Sequence, residues 1–101
     1  MRVLKGGSFM ISTQIKFDKN FAYSYDSQFD ILRLMFVYSD SFYYDEIFPN
    51  LLLKYDEDTE QLVGLQILNL HYFDENNLKK YVDQEYFYQT INIINKIIHQ
   101  K

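Results

Sequence analysis

A chain of 101 residues is the length of one domain, and at that size roughly two thirds of the unfolded surface is buried, enough to fold unaided. It has no cysteine, which excludes disulfides, thiolate zinc sites and thiol chemistry. A formal net charge of −4, with 10 Lys and Arg scattered along the chain, speaks against direct nucleic-acid binding, which needs a concentrated positive surface.

A basic protein partner suits such a surface better. No basic leader with a following apolar segment opens the chain, and no uncharged apolar run is long enough to span a bilayer, so the expectation is a cytoplasmic protein without membrane contact. The aromatic content of 19% accompanies abundant Ile, Asn and Lys and only 3 glycines and 1 proline. AT-rich codons account for that bias, and an aromatic binding face is the alternative. The start "MRVLKGGSFM" departs from it. Lys5-Gly6-Gly7 can be encoded as a ribosome-binding sequence, with Ser8-Phe9 as spacer, so translation is expected to begin at Met10. Residues 1–9 are then an over-extended start, or else a short tail.

From residue 11 the chain reads as short β segments. "ISTQIKF" (11–17) alternates modestly, and "FAYSY" (21–25) places aromatics at every second position, the period of a half-buried strand. Asp26 and Ser27 form a turn. "ILRLMFVY" (31–38) is apolar on both faces apart from Arg33, as in a central strand. After "SDS", "FYYDEIF" (42–48) ends at Pro49-Asn50, since proline cannot donate to a ladder and Asn tolerates positive φ. "LLLKY" (51–55) and "LVGLQILNL" (62–70) flank "DEDTE" as hairpin arms. Turns without intervening helices predict an antiparallel meander of four to five strands over 11–70.

After "HYF" the period changes to that of a helix over 75–100, with Asp74 or Asn76 as first cap. Leu78, Tyr81 and Val82 form one small face, while Phe87, Ile91, Ile94 and Ile98 form another. The phase breaks at Asp83, with Glu85 following, as at a new N-terminus. The prediction is a short helix near 76–81 and a longer one at about 84–99, packed on one face of the sheet, in a single α+β domain. Ile93, Ile97 and Tyr86 widen the apolar arc. Such an arc fills a deep groove of its own fold or meets a second chain, and a homodimer contact is the expectation.

Three segments in order, "YDSQFDIL", "DEIFPNLLLKYDED" and "LVGLQIL", resemble the YuzE-like family of small bacterial proteins, a domain family of unknown function. Tyr25, Asp26, Asp30 and Leu32 fit its first element. Glu46, Pro49, Leu51, Leu53, Tyr55 and Asp56 fit the second, and Val63, Gly64, Leu65, Ile67 and Leu68 the third. The similarity covers about residues 23–70. Asn50 stands where the family has glycine, Lys54 where it tends to have Asp, and Gln66 where it favours Glu. A carboxylate site built there in relatives is therefore lost in this chain. No activity or cofactor follows from the resemblance. It does imply an antitoxin-like partnership with a small ribonuclease-type toxin.

The chemistry-bearing residues are few. Counted from Asp56 as an EF-hand loop, the sixth position is Gln61 and the twelfth Ile67, where glycine and a bidentate Glu are required, so "DEDTE" is read as a solvated turn. Those carboxylates also oppose edge-to-edge aggregation. His71 and His99 have no motif-marked nucleophile, and Asp26 and Asp30 are read as turn residues bonding backbone N–H groups. Neither a catalytic nor a metal or cofactor set is assigned. The partner-binding candidates are Tyr43, Tyr44, Asp45 and Glu46, an acidic aromatic strand, with Ile93 and Ile97 of the helix. The resulting expectation is a non-catalytic protein-interaction module. The rivals are a homo-oligomeric structural protein, and a small metal-dependent hydrolase needing His71 to converge with carboxylates in a pocket.

Overall fold

The computed structural model describes residues 15–19 and 21–99. The expectations for residues 1–9, the start at Met10, the first part of the 11–17 strand and residue 100 lie outside them. Six strands form one antiparallel sheet: β1 (Lys16–Asp18), β2 (Phe21–Asp26), β3 (Ile31–Met35), β4 (Phe42–Phe48), β5 (Leu51–Asp56) and β6 (Leu62–Leu68). Helix α1 (Gln84–Ile98) follows two 3₁₀ turns, Leu70–Tyr72 and Glu75–Leu78. The α+β class and the C-terminal helix are as read from the sequence.

The meander is corrected in its topology. The strand order is β1-β2-β3-β6-β5-β4, so β6 enters between β3 and β5. The chain thus makes two three-stranded meanders joined edge to edge. The two most apolar strands meet at the centre, with Leu32, Leu34, Leu65 and Ile67 all buried. β3 also stops earlier than the apolar run suggests, because Phe36 and Val37 both donate their N–H to the single Val63 carbonyl.

Register sorts the side chains. Tyr23, Leu34, Leu65 and Leu53 form one row across the sheet, and Tyr25, Leu32, Ile67 and Leu51 form the next. Both rows belong to the core that α1 closes with Phe87, Ile93, Ile94 and Ile97. Tyr86 stacks on Phe36 at 4.4 Å and meets Phe21 edge-on at 5.6 Å. Lys96 Nζ pairs with Asp18 Oδ2 at 3.0 Å, which ties the helix to β1.

The helical segment differs in two details. Residues 75–78 form a 3₁₀ turn in place of a short α-helix, capped by Asp74, whose carboxylate accepts the Asn76 N–H at 3.0 Å. Asp83 does begin α1, and Phe87 donates its N–H to the Asp83 carbonyl at 2.8 Å, but the Asp83 side chain makes no cap bond. The buried face of α1 is Phe87, Thr90, Ile93, Ile94 and Ile97, rotated from the expected stripe, while Ile91 and Ile98 are only half-buried. Ile93 and Ile97 are thus core residues under the sheet. The wide arc fills a groove of its own fold, and this corrects their assignment to a partner-binding surface.

Left-handed backbone occurs at Lys19, Asp30, Glu60 and Asn69, and not at Asn50. Proline at the first loop position holds φ near −65°, which excludes the mirror-image hairpin turns, and the negative φ of Asn50 excludes the type II turn as well. The twist is taken up instead by an irregularity in β4 between Glu46 and Phe48.

Candidate functional site

β4 is an edge strand among the described residues, and its first five residues, Phe42 to Glu46, are all exposed. Tyr43, Tyr44, Asp45 and Glu46 therefore share an open border with unpaired backbone groups, the position read for them from the sequence. Register places Tyr43 opposite Tyr55 and Asp45 opposite Leu53, on the side of the sheet that carries α1. The rings of Tyr43 and Tyr55 stack at 5.6 Å. Phe42, Tyr44 and Glu46 project to the other side, where Phe42 and Tyr44 meet edge-on at 5.8 Å. Partial desolvation, then the charges of Glu60 and Asp45, push the Tyr43 hydroxyl pKa up. Both tyrosines stay neutral donors at physiological pH.

The acidic run after β5 is organised by Asp56. Its Oδ1 accepts the N–H groups of Asp58 at 2.8 Å and Thr59 at 3.0 Å, while Oδ2 accepts the Ser39 hydroxyl at 2.8 Å. These bonds, the Thr59 N–H first, hold its carboxyl below the usual carboxylate range. The carboxylate is thereby committed to shaping the turn.

Asp26 behaves as a turn residue, accepting from the Gln28 and Phe29 N–H groups at 3.0 and 3.3 Å. Asp30 does more than the sequence reading assigned. Its Oδ1 accepts from the Tyr25 hydroxyl at 2.7 Å and from His71 Nδ1–H at 2.8 Å, and its Oδ2 accepts the His71 backbone N–H at 2.9 Å. This clasp joins the β2–β3 turn to the 3₁₀ turn after β6. Burial alone would raise the Asp30 pKa, but the Tyr25 and His71 bonds together outweigh it and hold the group below its ordinary value. Burial and the same carboxylate push Tyr25 up to about 12. His71 thus converges on one carboxylate, and it does not line the cavity described next.

That cavity, of about 170 Å³, lies on the sheet face away from α1. Ala22, Met35, Gly64, Lys54 and Tyr44 stand in one row across five strands, with Ser24 and Arg33 in the next. All but Gly64 line the hollow. Gly64 lets the strands and the Lys54 side chain close up beside the hollow: a Cβ there would collide with the Leu34 carbonyl and press on Lys54 Cδ and Met35 Cα, both 3.3 Å away. Lys54 is 8% exposed, with Nζ 3.8 Å from the centroid of the Phe42 ring. Desolvation lowers its pKa to about 8. Burial raises the Tyr44 pKa, against the opposing charge of Arg33, which faces it across the hollow.

Sequence reasoning missed this grouping. Its signal was two cations, Arg33 and Lys54, each interrupting an otherwise apolar strand. Their convergence depends on β6 lying between β3 and β5. Among the described residues no helix is long and apolar enough to cross a membrane. Comparison with protein-family models, with curated proteins and with solved structures finds no match to the chain.

Proposed function

We propose that the chain is a non-catalytic protein-interaction module that receives a basic partner along β4. One observation carries the reading: a seven-residue edge strand whose Phe42–Glu46 stretch is exposed, aromatic and acidic at once. Unpaired backbone groups on such an edge accept a partner strand, and alternate side chains set its specificity. Tyr43 and Tyr44 supply rigid contact area with polar tips, and Asp45 and Glu46 steer a positively charged partner into place. Carboxylates on an edge also discourage self-pairing, which leaves a charge-complementary chain as the favoured addition.

The most concrete version rests on the YuzE-like resemblance: an antitoxin-like protein that docks on a small basic ribonuclease-type toxin and occludes its RNA-binding surface. Purification from the native host under mild conditions tests it. The expected result is a stoichiometric basic protein that is lost when Asp45 and Glu46 are both replaced by Lys. A chain recovered alone, with no toxin-like gene beside its own, contradicts the proposal. A mass rising with concentration, with nothing else bound, supports the homo-oligomeric rival.

A further inference from the structure

We infer that the hollow on the open sheet face is a binding site for a small monocarboxylate with an apolar or aromatic body, its carboxylate held by Arg33 and Lys54 and its body lying against Ala22 and Met35. The inference is independent of the partner reading.

Three features lead to it. First, the two cations are without a counter-charge. Among the described residues neither Arg33 nor Lys54 forms an ion pair or a side-chain hydrogen bond, although the chain carries a net charge of −4. A cation held 8% exposed without a carboxylate is costly, and an incoming anion relieves that cost. Second, the floor is shaped. In the row Ala22–Met35–Gly64–Lys54–Tyr44 the missing side chain at Gly64 lets the Lys54 stem lie down across the sheet, and Ala22 and Met35 keep the floor low beside it. The hollow of about 170 Å³ is ring-sized, since an apolar cavity of roughly 150 Å³ takes up benzene. Third, the walls are mixed in the manner of small-molecule sites: Ile15, Ala22 and Met35 are apolar, and Ser24 and Tyr44 add hydroxyls beside the cations.

Carboxylate is favoured over phosphate by the donor set. Arg33 offers a planar fork that matches a carboxylate, and Lys54 a single point charge. The strand backbones around them are committed to the ladder, so no nest of free N–H groups awaits three phosphate oxygens. The ammonium now resting on Phe42 exchanges a ring face for a full negative charge.

The test is titration of the full chain with benzoate, followed by amide chemical shifts and calorimetry. Benzamide, equal in shape but uncharged, and inorganic phosphate serve as comparisons. The expected result is one benzoate per chain, with shifts centred on Ser24, Arg33 and Met35. Benzamide and phosphate should each bind about tenfold or more weakly, the factor one charge-assisted hydrogen bond supplies. R33Q should reduce benzoate affinity by a similar factor. These outcomes need no variant at Gly64, where folding itself is at stake. Absence of saturable benzoate binding, shifts centred elsewhere, equal binding of benzamide, or phosphate binding as tightly as benzoate would each overturn the assignment.

Discussion

The Lys54 ammonium sits 3.8 Å from the centre of the Phe42 ring, a cation lodged on an aromatic face in a strand that opens with three leucines. Cation–π attraction offsets part of the desolvation, yet the net effect is a pKa lowered to about 8. The unfolded chain therefore holds the Lys54 proton more tightly than the folded one. Between about pH 8 and the ordinary lysine range the unfolded state binds more protons, so folding stability rises with pH there. A pH titration of the lysine Nζ resonances should show one midpoint near 8. Urea unfolding should show stability gained from Lys54 between pH 8 and 10, by roughly 3 kcal/mol at most. In K54M that gain disappears and stability at pH 7 increases, because a buried charge is replaced by an apolar side chain of similar length. A Lys54 midpoint at the ordinary lysine value contradicts the desolvation described for this side chain.

Asp30 has the opposite sign. Its folded pKa is depressed, so its contribution is complete above the ordinary carboxylate range and is lost as pH falls through that range and below it. D30N preserves shape and tolerance of the left-handed backbone but removes the charge that Tyr25 and His71 address. It should cost about 1.5–3 kcal/mol at pH 7, as for hydrogen bonds to a charged group. The difference from wild type should shrink as the pH is lowered towards 3. Chemical denaturation at pH 7 and pH 3 checks both statements.

Thr90 is wholly buried on α1, and its Oγ1 has no hydrogen-bond partner. T90V keeps the branched shape and removes the unsatisfied hydroxyl, so it should stabilise the fold by about 1 kcal/mol, or roughly 4–8 °C in Tm for a domain of this size. Thermal unfolding followed by circular dichroism measures it.

Ile93 is fully buried. I93A should cost about 2–5 kcal/mol through lost burial and the cavity left behind, without changing the solution mass. Denaturant titration with light scattering separates this from an interface role, in which the mass would fall and the monomer's stability would hold.

Local patterns were legible in the sequence and long-range choices were not. The aromatic alternation in 21–25 and the acidic turn at Asp56 follow from period and turn chemistry, which act over a few residues. The insertion of β6 beside β3 depends on which apolar strands bury each other best, and no local pattern encodes it. The rotation of the α1 face turns on Thr90, a polar residue at the middle of the buried stripe that an apolar period does not mark. The exposure of Tyr43 to Glu46 was legible because carboxylates within an aromatic strand mark it as solvated. The Arg33–Lys54 grouping was not, since the two come to line one hollow only through the strand order β3, β6, β5. The reach of Asp30 to His71 is likewise a contact across 41 positions.

Hydrogen–deuterium exchange on the chain, alone and with the protein that co-purifies with it, tests the β4 docking proposal most directly. The account predicts new protection of the Phe42–Glu46 amides in the complex, with α1 unchanged. Protection confined to α1 or to β1, with the β4 amides exchanging as freely as in the isolated chain, would contradict it.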